Sequence, residues 1–315
     1  MRILSAMLLC ALRTVCMLAP VASGAGEIRA SFLQNTNCLR ETAEFLTQSG
    51  CARQGTAAFE HAVRQYFQEP FDFDFANFPE PTRGFYSFPS PRKLVTALPH
   101  RLPETQHTYD LNCMDAVILL ADGQLRTRLR PDDIVGPIMA PIQTTNGEAV
   151  ALTATPRDAF TLSYPAWYLE ATESLIPKPM RDSRVCLVAS LFRWHMLPSS
   201  TTKDNAGSRV LDVLRATWQR EKVKFPARFD LVLLHNVSIN GHTVSTCHAG
   251  LLFHRNTGYT YIEKAGACGP FVRLDFVERS DLLPWLATAF TNYTDANFSK
   301  FATFNDQSIK QLNCQ

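Results

Sequence analysis

The sequence lacks several features that would assign a protein to a broad class at once. Beyond its first residues it has no run of about 18 apolar residues, as a transmembrane helix would need. It has no CxxC pair, internal repeat or block of like charges, so neither a structural zinc site nor a repeat fold is expected. Its 31 basic and 29 acidic residues give no electrostatic basis for binding nucleic acid. We expect no metal and no other cofactor.

The N-terminus has the composition of a cleavable signal peptide. Two apolar stretches, residues 3–12 and 15–22, precede small residues suited to cleavage, and no acidic residue occurs among them. Arg13 interrupts the apolar region, so either the second stretch is the true core or translation starts at Met7. We expect residues 1–25 to be removed and the rest to be secreted or periplasmic, without stable membrane insertion. A retained membrane anchor is the alternative.

Removal of the signal peptide leaves an odd number of cysteines. In an oxidising compartment cysteines tend to pair, so at least one must stay free or pair between chains. We predict that Cys113 is the free thiol and that most of the others form disulfides, with Cys38 and Cys51 able to staple the N-terminal region. The remaining cysteines are Cys38, Cys51, Cys113, Cys186, Cys247, Cys268 and Cys314.

The region 26–105 divides into a helical part and a loop. Apolar spacing predicts helices over 28–50 and 56–67. Residues 70–103 contain many prolines among phenylalanines, a composition that opposes regular structure. We interpret this segment as a long aromatic loop that either packs onto the domain or forms one wall of a binding groove.

The region 106–315 reads as one domain with an insertion around 131–225. Asn112 is a good N-cap for a helix that begins at Cys113. Helices are also predicted over 167–175, 207–222 and 281–290, and strands over 185–194, 229–234, 244–253, 259–264 and 271–276. Helices followed by an antiparallel sheet indicate an α+β fold.

Cys113 occupies a position where a cysteine becomes reactive. The first turn of a helix has unpaired backbone N–H groups and the positive end of the helix dipole, and both favour a thiolate. A thiolate nucleophile also needs a nearby base that can protonate the leaving group. The alternative for Cys113 is a disulfide or a buried apolar role.

His248 is the best candidate for that base. It lies within a predicted strand beside Ala249 and Gly250, which leave space around the ring. A third group should orient the imidazole, and Glu263 on the following strand can do so. Three other histidines are weaker candidates, because His235 lies on an apolar strand and His242 and His254 lie near turns.

The turn at residues 255–258 allows the relative position of these side chains to be predicted. A hairpin closed by Arg255 and Gly258 places Gly250 opposite Glu263 and His248 opposite Ala265. Because side chains alternate along a strand, all four lie on one face, with Glu263 diagonal to His248. A three-residue loop would instead send Glu263 to the opposite face.

This order of residues resembles the papain-like cysteine hydrolases, particularly the NlpC-type branch that cleaves amide bonds in bacterial cell-wall peptides. The segment from Cys247 through His-Ala-Gly-Leu-Leu-Phe, Tyr-Ile-Glu-Lys and the following acidic-aromatic strand is also similar to a bacterial family known only as a domain of unknown function. The resemblance covers the Cys113 turn and residues 244–286. It implies Cys113 as nucleophile, His248 as base and Glu263 as orienting group, and it suggests Gln106 as an oxyanion-hole donor.

The sequence therefore predicts a secreted cysteine hydrolase acting on an amide bond, with cell-wall peptide as the substrate implied by the resemblance. Transferases and esterases would use the same residues. A non-catalytic binding or structural domain on the same scaffold is the alternative. It would be indicated by a Cys113 that is disulfide-bonded or distant from His248.

Overall fold

The computed structural model of the chain describes residues 26–68, 74–99, 111–130, 133, 178–240, 242–265, 269–289 and 299–312. The predicted signal peptide, Gln106 and the predicted helix over 167–175 lie outside these ranges. Within them the strands are β1 Ile28–Ser31, β2 Tyr86–Phe88, β3 His195–Met196, β4 Phe229–Ser238, β5 Thr243–Arg255, β6 Gly258–Lys264, β7 Phe271–Phe276, β8 Ser299–Phe304 and β9 Ser308–Leu312. The helices are α1 Thr36–Gln48, α2 Arg53–Tyr66, α3 Pro91–Ala97, α4 Cys113–Leu120, α5 Lys178–Leu191, α6 Ala206–Arg220 and α7 Leu282–Ala289.

The strands form one antiparallel sheet in the order β2-β1-β7-β6-β5-β4-β8-β9, with β3 pairing to one end of β5. Helices cover both faces. One core packs α1, α2, α4, α5 and α6 against the sheet, and a second core packs α3 and α7 against the other face. The predicted α+β class with an antiparallel sheet is confirmed. Among the described residues, no helix has the length and apolar character needed to cross a bilayer.

Helix α4 lies at the centre of the larger core. All of its residues are buried, as expected for a helix that is apolar on nearly every side. The predicted N-cap is confirmed, because the Asn112 side chain accepts a hydrogen bond from the Asp115 backbone N–H at 2.7 Å. Gly55 of α2 sits against the Leu119 carbonyl, where any Cβ would clash, so glycine allows the two helices to approach closely.

Several predicted elements differ from the structure. The apolar run 185–194, predicted as a strand, belongs mostly to α5, because a short apolar run fits a buried helix equally well. The predicted helix over 28–50 begins as β1 and becomes helical only at Thr36. The predicted aromatic loop contains β2 and α3, since Pro91 occupies the first turn of α3, where its missing N–H costs nothing. Strands β8 and β9 were not predicted.

No disulfide joins two of the described cysteines, and pairing of Cys268 and Cys314 stays a prediction. All five described cysteines are free thiols, so Cys38 and Cys51 form no staple. Cys38 is buried and its thiol bonds to the Ser31 hydroxyl at 3.0 Å, while burial raises the pKa of Cys51 to about 12. These side chains act as small apolar residues of the core. Cys268 and Cys314 lie outside the described residues.

Candidate active site

The structure brings Cys113, His248 and Glu263 together from three elements. Cys113 is the first residue of α4, and α4 packs against β5 and β6, which carry His248 and Glu263. The hairpin has the predicted register, with Arg255 opposite Gly258 and Gly250 opposite Glu263. Glu263 is therefore diagonal to His248 on the same face, and its Oε2 lies 2.8 Å from His248 Nε2.

His248 is also hydrogen-bonded to the thiol of Cys113. Because Nε2 is engaged by Glu263, Nδ1 is the ring nitrogen left for the sulfur. Burial alone would lower the pKa of His248. The negative charges of Cys113 and Glu263 and the hydrogen bonds to both outweigh it and raise the pKa to about 9. The imidazole therefore binds a proton readily between two acidic groups.

Besides His248, two hydrogen-bond donors hold the Glu263 carboxylate. The Tyr261 hydroxyl donates to Oε2 at 2.6 Å, beside His248, and the Trp285 indole N–H donates to Oε1 at 2.7 Å. Both oxygens are thus occupied in a site that is closed to solvent, since Glu263 is 2% exposed. The carboxylate cannot rotate away from the ring without breaking these bonds.

Gly250 makes this arrangement possible. A Cβ at this position would collide with the Tyr261 hydroxyl, so the hydroxyl occupies the space that a side chain would fill. The space that Gly250 was expected to leave around the His248 ring is therefore taken by the Tyr261 hydroxyl. The ladder between β5 and β6 also ends before His248 and Ala265 would pair, and the Ala265 N–H bonds to the Pro270 carbonyl instead.

A buried ion pair lies in the first turn of α4, two residues after Cys113. Arg184 of α5 donates from Nε and Nη2 to the two oxygens of Asp115, each at 2.7 Å. Burial raises the pKa of Asp115, while Arg184 opposes the shift. The guanidinium therefore balances a carboxylate that would otherwise repel a thiolate nearby, and it fixes α5 against the start of α4.

The other histidines are engaged elsewhere. His235 bonds to Thr303 and Thr246 at 2.9 and 3.1 Å, and burial, followed by the charge on His195, lowers its pKa to about 3. His254 bonds to Asp230 at 3.1 Å, with half of its side chain exposed. His242 has a positive φ of 48° in a turn. None of these three shares the hydrogen bonds of Cys113 and Glu263 among the described residues.

Cys247 is the chain neighbour of His248 and lies at an irregular point of the sheet. It falls where β4 and β5 shift register, a β-bulge between Leu234 and His235. Burial, reinforced by the charge on Cys113, raises the pKa of Cys247 to about 12. Its thiol therefore stays protonated and is a poor nucleophile.

Sequence reasoning missed Tyr261, Trp285 and Arg184. The alternation of side chains along β6 could have identified Tyr261, because it lies two residues before Glu263 and so on the same face. Trp285 and Arg184 come from helices whose packing no local pattern specifies. The predicted oxyanion donor Gln106 lies outside the described residues. In the described part of the chain, no group of three or more His, Cys, Asp or Glu side chains is arranged to hold a metal.

Comparisons with known proteins add no assignment to this geometry: no family model, curated protein or solved structure matches the chain.

Proposed function

We propose that the protein is a papain-like cysteine hydrolase of the NlpC type that cleaves an amide bond. The observation that carries this proposal is the His248 ring, hydrogen-bonded to the Cys113 thiol on one side and to the Glu263 carboxylate on the other. A nucleophile, a base and an orienting acid in that order form a catalytic triad.

In the proposed reaction the Cys113 thiolate attacks the carbonyl carbon of the amide. The developing oxyanion accepts hydrogen bonds at the start of α4, where the Cys113 backbone N–H points out of the helix. Protonated His248 gives its proton to the leaving amine, and the carbon–nitrogen bond breaks to leave a thioester. His248 then takes a proton from water, whose oxygen attacks the thioester and releases the acid and the thiolate.

The protonation state of His248 fits the first step. A pKa near 9 keeps the imidazole charged at neutral pH, so it stabilises the thiolate and is ready to act as the acid. Glu263 stabilises that charge and, through Tyr261 and Trp285, keeps the ring in one orientation.

The substrate class comes from the family resemblance. It points to an amide bond in cell-wall peptide, and the predicted export would deliver the enzyme to that material. Esters and transfer to an acceptor other than water would use the same thioester intermediate.

The alternative of a non-catalytic binding or structural domain predicts a Cys113 that is disulfide-bonded or far from a base. The free thiol and its bond to His248 argue against it.

The test combines labelling with activity. Unreduced mature protein is treated with iodoacetamide and mapped by mass spectrometry, and hydrolysis of peptidoglycan-derived peptides is followed in parallel. We expect Cys113 to be alkylated first, with activity lost in step. Cys113→Ala should abolish hydrolysis and keep the fold, a loss of about four orders of magnitude or more.

Cys186→Ala is the matched control, because it removes another buried free thiol from a neighbouring helix. It should keep full activity. Substantial hydrolysis by purified Cys113→Ala, or faster labelling of another cysteine, would reject the mechanism.

A further inference from the structure

A pocket of about 400 Å³ lies where the segment after α4 meets the ends of α5 and α6. The described residues that line it are mostly charged: Arg128, Leu129, Asp133, Arg193, Arg220 and Glu221. The described residues that line it include none of Cys113, His248 and Glu263. We propose that this pocket binds the terminal carboxylate of a peptide or an acylated amino acid.

The first argument concerns Arg193, in which the Nε and Nη2 edge of the guanidinium has no hydrogen-bond partner among the described residues. Arg184 and Arg273 each use Nε and Nη2 together to hold a carboxylate, that of Asp115 at 2.7 Å and that of Asp275 at 3.0 to 3.1 Å. In Arg193 the same two atoms are buried and have no hydrogen-bond partner in the described structure. Buried donors are normally satisfied, so this edge is built for a group that the chain does not supply.

The second argument concerns Glu221, the carboxylate that pairs with Arg193. Glu221 is 4% exposed on its side chain and holds Arg193 and Arg220 through one oxygen, at 3.0 and 3.2 Å. Its other oxygen, Oε2, is also buried without a partner. The site therefore offers two donors for a carboxylate beside one acceptor, which suits the N–H that neighbours the carboxylate in an acylated amino acid.

The charge of the pocket matches a single negative charge. Among the described residues of the lining, three arginines accompany two carboxylates, an excess of one positive charge. The positive charge of these arginines also acts on His195. Burial lowers the pKa of His195 most, and Arg193 and Arg220 lower it further, to about 4. A monoanion neutralises this excess, whereas a phosphate dianion would place extra negative charge beside Glu221 and Asp133.

The test is calorimetric titration of the mature protein at constant ionic strength with three probes: N-acetylalanine, its neutral amide N-acetylalaninamide, and inorganic phosphate. We expect saturable binding of one equivalent of N-acetylalanine and none of the amide. Arg193→Lys keeps the charge but loses the two-donor edge, so it should weaken binding by about tenfold or more. Arg128→Gln should weaken it by about fivefold.

Arg209→Gln is the control, because Arg209 is an exposed arginine of α6 that does not line the pocket. It should leave affinity unchanged. If circular dichroism shows that Arg193→Lys is unfolded, Arg128→Gln decides. The proposal is overturned by absence of saturable N-acetylalanine binding, by equal binding of the amide, by phosphate binding alone, or by unchanged affinity in the folded pocket variants.

Discussion

Two buried carboxylates on neighbouring strands of the sheet have opposite surroundings. Asp275 of β7 is held by Arg273 through two hydrogen bonds, and Arg255 lies 3.3 Å away. Glu263 of β6 contacts no arginine among the described residues. Its partners are the neutral donors of Tyr261 and Trp285, and His248.

The difference separates a structural ion pair from a site that can titrate. Guanidinium groups stay protonated at any ordinary pH, so the charge of Asp275 is permanently balanced. The charge of Glu263 is balanced only when His248 is protonated, so the proton of the ring is coupled to both Glu263 and Cys113. The same sheet therefore carries one carboxylate that stabilises the fold and one that controls a proton.

The sharpest test of this contrast is Glu263→Gln. The amide keeps the size of the side chain but removes the charge, so His248 loses both orientation and stabilisation of its protonated form. We expect hydrolysis to fall by about three to four orders of magnitude with the fold retained. Steady-state rates and circular dichroism would check this, and near-normal activity would remove Glu263 from the mechanism.

Asp275→Asn is the matched change in the other region. It leaves Arg273 buried without its partner, which should lower the free energy of unfolding by about 3 kcal/mol or more. Activity per folded molecule should be unchanged at a temperature below the transition. Urea unfolding measures the change in the free energy of unfolding. A catalytic defect as large as that of Glu263→Gln would erase the distinction between the two carboxylates.

The pH dependence of stability should differ between the regions. The pKa of His248 rises from 6.5 to about 9 on folding, so protonation favours the native state. This contribution, about 3 kcal/mol at most, is fully present below pH 6.5 and is lost as pH rises through 9. Urea unfolding from pH 6 to pH 10 should show the loss in wild type. His248→Gln should flatten that part of the curve, and a wild-type curve equally flat would contradict the assignment.

The smallest expected effect is that of Tyr261→Phe. It removes one hydrogen bond to the Glu263 carboxylate, worth about 2 kcal/mol for a charged acceptor, and leaves the ring packing intact. We expect activity to fall by about tenfold, with the pH profile shifted to lower values because Glu263 loses a support that keeps it beside His248. Unchanged activity and profile would show that Trp285 alone positions the carboxylate.

Local patterns in the sequence determined a substantial part of this site. The Asn112 cap placed Cys113 at the start of a helix, and the turn at 255–258 fixed the register of β5 and β6. With side chains alternating, that register alone made His248 and Glu263 diagonal neighbours. These are consequences of hydrogen bonding over short distances along the chain.

Tertiary structure decided the rest. Only packing turned the apolar run before Trp194 into α5, because periodicity cannot separate a short buried helix from a strand. Only packing brought Trp285 and Arg184 to residues far from them in the chain. The sequence thus determined that Cys113 begins a helix and that His248 and Glu263 share a face. Tertiary packing decided which side chains hold them, because those contacts join elements that no local pattern links.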